Sequence, residues 1–276
     1  MEPLFLKERT AKFFQESPLI HCMTNEITCE SMANALLYVN SKPIMADEPR
    51  EFDELFQQTN GLLLNLGHLN PERERSLMKA SDYSITFNAP TVIDVVGVSA
   101  SSLRKKLALR LMENHPQVVK GNTSEMKKLC DLSSQGRGVD GHASDQTKDS
   151  LEALANKLRE YTHRYPNTAF LATGATDVIV TKEATYFLQN GVAELDKITG
   201  TGDIVGALIT SLLAQGESVE TSLVMAVSYF NICGERAFEQ VGTPVPMSNF
   251  RNELMNHLSL DYTDNTWWKE IKGEWL

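Results

Sequence analysis

Short apolar runs rich in β-branched residues alternate with helix-patterned stretches through most of this chain, and few folds accept that order. Residues 18–23, 42–46, 61–66, 91–96, 117–120, 168–172, 177–181 and 184–188 read as strands. Residues 30–39, 71–80, 101–114, 148–165, 203–214 and 221–240 carry helical spacing. The pattern predicts α/β units: a mostly parallel central sheet with helices on both faces. Runs 177–181 and 184–188 are separated by Lys182 and Glu183 alone, which predicts a hairpin and a local antiparallel pairing. Residues 133–147 hold Gly136, Gly138 and Gly141 and few large apolar side chains. Both flanks continue the same alternation, so this stretch reads as a surface loop within one domain spanning 1–276. The end of the chain, with Trp267, Trp268 and Trp275, reads as a helix that docks aromatic rings.

The formal net charge of −10 disfavours non-specific binding to nucleic acid, and it means an anionic substrate must be held by local donors. Cys22, Cys29, Cys130 and Cys233 form no CxxC and no zinc-like Cys/His spacing, so reduced thiols in a cytoplasmic protein are expected. The first residues lack the long apolar run of a signal peptide, and no stretch approaches the length of a membrane span.

Four stretches have the composition of a chemical site. In Ile198-Thr199-Gly200-Thr201-Gly202-Asp203, closely spaced glycines precede an acid at a helix start. Free N–H groups and the positive end of the helix suit a phosphate there, and the carboxylate is either an N-cap or a base beside the transferring group. In Lys120-Gly121-Asn122-Thr123-Ser124-Glu125, a strand end leads to two oxygen donors three residues apart, a set that suits Mg²⁺ or a simple helix cap. Asp94 ends an apolar strand, where an unpaired charge is costly. His21-Cys22-Met23-Thr24-Asn25-Glu26 is a short polar segment after the first strand.

Other motifs fail. The P-loop, HExxH, GxSxG and the EF-hand loop are absent. A formal GxGxxG at Gly136, Gly138 and Gly141 follows no strand, so a dinucleotide oxidoreductase is a poor reading. His68 and His142 lie in loops without a partner that the sequence identifies.

Together these segments resemble the ribokinase-like kinases. Asn122-Thr123-Ser124-Glu125 is similar to their NxxE element, and Gly200-Thr201-Gly202-Asp203 to their GxGD anion hole and base. Pro18-Leu19-Ile20-His21-Cys22-Met23-Thr24-Asn25, Ala33 to Leu37 running on to Pro43 to Ala46, Leu64-Asn65-Leu66-Gly67 and Ala172-Thr173-Gly174-Ala175-Thr176-Asp177 come in the order and spacing of hydroxyethylthiazole kinases. The resemblance implies a ribokinase-like three-layer fold without a lid. It also implies phosphorylation by ATP of 4-methyl-5-(2-hydroxyethyl)thiazole, a step toward thiamine. It places Met45, Asn25, Gly67 and Gly200 around the thiazole alcohol, and Lys120, Thr173, Gly200, Thr201 and Gly202 at ATP. Asp94 and Glu125 would organise Mg²⁺, with Asp203 as the base.

A homotrimer with shared sites is implied too, walled by the region of Met23, Met32, Leu36, Leu37 and Met45. The chain departs from the family in reading Asp94-Val95-Val96-Gly97 where Asp-Pro-Val-Gly is usual. It also has Lys120 where Arg is common and Asp203 where many members have Cys. A related kinase of a pyrimidine or pyridoxal-type alcohol, or a weakly active thiazole-binding relative, is the alternative.

Overall fold

The computed structural model describes residues 13–134, 143–264 and 266–275. The GxGxxG at 136–141 and His142 lie outside the described residues. Nine strands form one sheet in the order β2-β1-β3-β4-β5-β6-β7-β8-β9. They are β1 (Leu19–Met23), β2 (Lys42–Ile44), β3 (Gly61–Asn65), β4 (Thr91–Asp94), β5 (Val118–Asn122), β6 (Ala169–Thr173), β7 (Asp177–Val180), β8 (Thr185–Leu188) and β9 (Gly273–Trp275). The first six in sheet order run parallel, and β6 to β9 pair antiparallel. The expected hairpin is β7–β8, closed where Thr181 N–H donates to Ala184 O at 2.9 Å. Every strand among the described residues belongs to this one sheet.

The helices are α1 (Cys29–Tyr38), α2 (Phe52–Leu55), α3 (Pro71–Thr86), α4 (Ser102–Met112), α5 (Thr123–Leu129), α6 (Lys148–Arg164), α7 (Thr201–Ala214), α8 (Val219–Val241) and α9 (Met247–Leu260). Alternation along each strand sorts them into layers. Leu63, Val92 and Val118 pack with α1, α7, α8 and α9. Leu62, Leu64, Ile93 and Val119 face the opposite way and pack with α2 to α6. Each strand of this centre is thus buried on both faces, and β3 has no exposed residue. Helix α7 is buried from Asp203 to Leu213, as expected of a helix apolar all round.

The sequence reading differs from the structure at several elements. The C-terminal segment is not a helix: Trp267 lies in a short 3₁₀ turn, and Trp275 sits on β9 opposite Tyr186. Trp267 is nonetheless fully buried, with its ring 5.0 Å from Phe13 and 5.1 Å from Tyr229 between centroids. Helix α3 runs past residue 80 to Thr86, and α2, α5 and α9 are additional. The expected trimer wall is also redrawn, since Met23, Met32 and Leu36 are buried in the chain's own core. Leu37 is exposed, joined by Ile27 and Tyr38.

Candidate active site

The parallel register brings three polar residues side by side. Asn65 on β3 is opposite Asp94 on β4, and Asp94 is opposite Lys120 on β5. Each stands two residues beyond Leu63, Val92 and Val118, whose side chains face α7, so this row faces the start of α7. All three are buried. A polar row at the C-terminal ends of parallel strands is where open α/β sheets present ligands.

Asp203 comes to this row on the first turn of α7. Gly200, the residue before that helix, has φ +94°, and a Cβ there would stand 2.6 Å from Thr28 Cγ2. Both facts demand glycine. The Asp203 carboxylate receives the Asn25 amide at 2.9 Å and the Asn65 amide at 3.0 Å, and the Thr28 hydroxyl also donates to it. These donors fix its orientation from β1's following loop and from β3. Gly67 N–H donates to Asn65 Oδ1 at 2.8 Å, which turns the Asn65 amide nitrogen toward Asp203. Among the expected substrate residues, the structure therefore unites Asn25, Gly67 and Gly200 around Asp203. Met45, half-buried, follows β2 on the neighbouring edge. The next carbonyl, Ala46 O, accepts from Nε2 of the buried His21 at 2.7 Å. Burial holds the His21 imidazole below its ordinary pKa.

Lys120 is 2% exposed and its ammonium lies 2.6 Å from Asp94 Oδ2. Burial works against its charge, but Asp94 first, then Asp203 and Glu125, raise the lysine above its usual pKa. The carboxylates around the ammonium favour its charged form. Glu125 sits one turn into α5 and closes a capping box. Asn122 N–H donates to its carboxylate at 2.8 Å, while Glu125 N–H donates to Asn122 Oδ1 at 2.9 Å. Gly97 N–H donates to the other Glu125 oxygen at 2.6 Å. The loop that lacks the proline thus still delivers a backbone donor to Glu125. Burial, then the Asp94 charge, pushes Glu125 up to about 7 against those two N–H groups.

The all-oxygen pair of Asp94 and Glu125 fits a hard cation that keeps most of its water. Among the described residues no cluster of three or more His, Cys, Asp or Glu could hold a metal ion.

Thr173 ends β6 beside Asn122 of β5. The turn after it is closed by Asp177, whose carboxylate accepts from Gly174 N–H at 3.0 Å and from the Asn231 amide of α8 at 2.8 Å. Burial pushes Asp177 up to about 7, partly offset by those two donors.

Sequence reasoning did not single out Asn65, Thr28 or Asn231 as partners. Asn65 had a readable signal: a lone amide at the end of an apolar strand must find a partner when buried. Thr28 and Asn231 had none. His68 is exposed and takes no part in this cluster.

Residues 10–262 match the hydroxyethylthiazole kinase family. The chain is 53% identical over 260 residues to a hydroxyethylthiazole kinase of Enterococcus faecalis, covering 94% of both chains. It is 51% identical to one of Lacticaseibacillus casei, covering 97% of this chain and 95% of that one. Its fold superposes on the structure of a hydroxyethylthiazole kinase protein from Pyrococcus horikoshii with a TM-score of 0.83, at 26% identity and 99% coverage of both chains. A pyridoxal kinase of Bacillus subtilis in complex with ADP shares the fold at a TM-score of 0.58 and 16% identity, covering 85% of this chain and 98% of that one.

Proposed function

The chain belongs to the hydroxyethylthiazole kinase family, and on that premise we propose that it transfers the γ-phosphoryl group of ATP to the hydroxyl of 4-methyl-5-(2-hydroxyethyl)thiazole. The observation that carries this reading is the Asp203 carboxylate, oriented by Asn25, Asn65 and Thr28 at the glycine-flanked start of α7. An alcohol placed against Asp203 loses its proton to that carboxylate as the oxygen attacks phosphorus. The free N–H groups around Gly200, Thr201 and Gly202, with the positive end of α7, take up the charge on the transferring group. Met45 borders the thiazole ring beside Asn25 and Gly67. Thr173 meets the nucleotide, and Lys120 supplies positive charge near the phosphates while paired with Asp94. Mg²⁺, when bound, neutralises phosphate charge, and Asp94 and Glu125 would hold its water shell. Positioning and electrostatics supply the rate in such a transfer.

In this reading the protein acts as one domain, is cytoplasmic and assembles as a homotrimer with sites shared between chains. Four free cysteines agree with a reducing compartment. The exposed Ile27, next in sequence to Thr28, agrees with a subunit contact beside the site.

The deciding assay measures ADP release with hydroxyethylthiazole, a hydroxymethylpyrimidine or pyridoxal as acceptor, with and without Mg²⁺. Mg²⁺-dependent turnover with the thiazole far above the other two is expected. Preference for another acceptor, or thiazole binding without turnover, would replace this function.

A further inference from the structure

The last residue of a short 3₁₀ turn (Ala143–Gln146), two residues before α6, carries a contact that the reaction described so far does not use. Gln146 reaches across the 173–177 turn. Its Nε2 donates to Thr123 Oγ1 at 2.7 Å, and its Oε1 accepts from Thr176 N–H at 3.3 Å. The Thr123 hydroxyl, in turn, donates to Thr173 O at 3.2 Å. One chain of hydrogen bonds therefore runs from Gln146 through the first residue of α5 to the backbone of Thr173, and a second branch holds Thr176. The carboxamide lies hard against Gly174: a Cβ there would stand 2.1 Å from Gln146 Nε2. Any side chain at 174 would expel the amide, so glycine there is what lets the contact form.

The segment bearing Gln146 is itself anchored. Asp145 is 2% exposed and accepts from Ser124 Oγ, Lys127 Nζ and Ser134 Oγ, each at 2.7 Å. Two of those donors belong to α5, so the residue before Gln146 is tied directly to that helix. On the other side of the turn, Asp177 is held by Gly174 N–H and Asn231. The turn that begins at Thr173 is thus clamped from two directions, and Gln146 supplies the clamp nearer to α5 and Glu125.

We propose that Gln146 is a positioning residue of the nucleotide subsite: it latches the 173–177 turn to the start of α5 and thereby fixes Thr173 for contact with ATP. The proposal rests on the reading of Thr173 as a nucleotide contact. A carboxamide suits the task because it donates to a hydroxyl and accepts from an amide at the same time. Prior ordering of the turn removes part of the cost that a nucleotide would otherwise meet on binding.

The test uses the full chain and ADP as probe. Gln146→Met keeps the volume and removes both hydrogen bonds, and Thr123→Val removes the shared hydroxyl, while Thr123→Ser keeps it. Calorimetry should show ADP binding weakened about tenfold in Gln146→Met and in Thr123→Val, with Thr123→Ser near wild type. The Gln146→Met/Thr123→Val double variant should be little weaker than either single one, because both cut the same chain. The KM for ATP should rise while the KM for the thiazole stays within about twofold, and amide exchange at Thr176 should quicken. Unchanged ADP affinity in Gln146→Met, or an equal loss for ADP and thiazole together, overturns the latch. If the wild-type protein binds no ADP, the nucleotide reading of this subsite fails instead. Exchange at Thr176 then still decides whether Gln146 orders the turn, and unchanged exchange overturns that too.

Discussion

At the scale of single residues, the site is a set of carboxylates given different surroundings. Asp203 faces donors from three side chains, Asp94 faces an ammonium, and Glu125 faces two backbone N–H groups. Each arrangement suits a different task. Side-chain donors orient a carboxylate, an ammonium neutralises a buried one, and a cap fixes one at a helix start. Replacing Asp203 by Asn keeps the shape and removes the proton acceptor. The kcat should fall by about 10²–10⁴, with thiazole affinity by calorimetry almost unchanged. Turnover equal to wild type would remove Asp203 from the role of base. Glu125→Gln acts elsewhere: an amide accepts on one atom only, so one of the Gly97 and Asn122 N–H groups loses its partner. The Mg²⁺ concentration for half-maximal rate should rise about tenfold or more, while the thiazole KM moves little. A superimposable Mg²⁺ titration would contradict the assignment of Glu125 to the metal's shell.

At the scale of elements, the 173–177 turn joins β6 to β7 through a buried carboxylate, and this has a consequence for stability. Asp177 is raised to about 7 in the folded chain by burial, against an ordinary carboxylate value of 3.8 when unfolded. Between those values the folded chain holds a proton that the unfolded chain has released. Stability therefore falls as pH rises through this window, and the loss is complete above about 7. Asp177→Asn removes the charge, and rotation of the Asn231 amide lets it accept from the new one. The variant should be more stable than wild type at pH 8, by roughly 2–4 kcal/mol as an upper range, and should match it more closely near pH 4. Urea midpoints at the two pH values test this; a wild-type curve flat from pH 4 to 7 would rule Asp177 out as the cause.

The same scale shows what could be read beforehand. Strands β1 to β8 were legible because short apolar runs between polar breaks have few other uses. Helix α7 was legible from its glycines and the mostly apolar run that follows Asp203. Strand β9 was not, because Gly273-Glu274-Trp275 is too short to carry a period and pairs only because β8 offers an edge. Helix α9 buries Phe250, Leu254 and Leu258, a four-residue spacing that was present but interrupted by polar residues. In the site, Asp94, Glu125 and Asp203 announced themselves as charges at strand and helix ends. Their partners did not: Asn25 and Thr28 meet Asp203 across more than 170 residues of chain, and no local pattern encodes such a meeting.

At the scale of the whole molecule, the proposed thiazole side of the site lies near the β2 edge of the sheet. There Met45 is half-buried, and Ile27, Leu37 and Tyr38 are 77%, 56% and 39% exposed. Exposed apolar side chains of this size are costly in water, and a second copy of the chain would cover them. A phosphoryl transfer also needs water excluded, and with every described strand in one sheet, a wall from a neighbouring subunit can do what a lid would do. A cyclic trimer closes such contacts without a free interface. Sedimentation should therefore give three times the 30.8 kDa of the chain, and specific activity should fall on dilution as the assembly dissociates. Hydroxyethylthiazole, bound at a shared site, should hold the trimer together at lower protein concentration by mass action. Leu37→Glu, exposed and away from Asp203, should shift the chain toward monomer and raise the thiazole KM by tenfold or more, about 1.4 kcal/mol, with the fold retained by circular dichroism. A monomer of full activity at all concentrations would leave Asp203 in place as the base and dispose of the shared site.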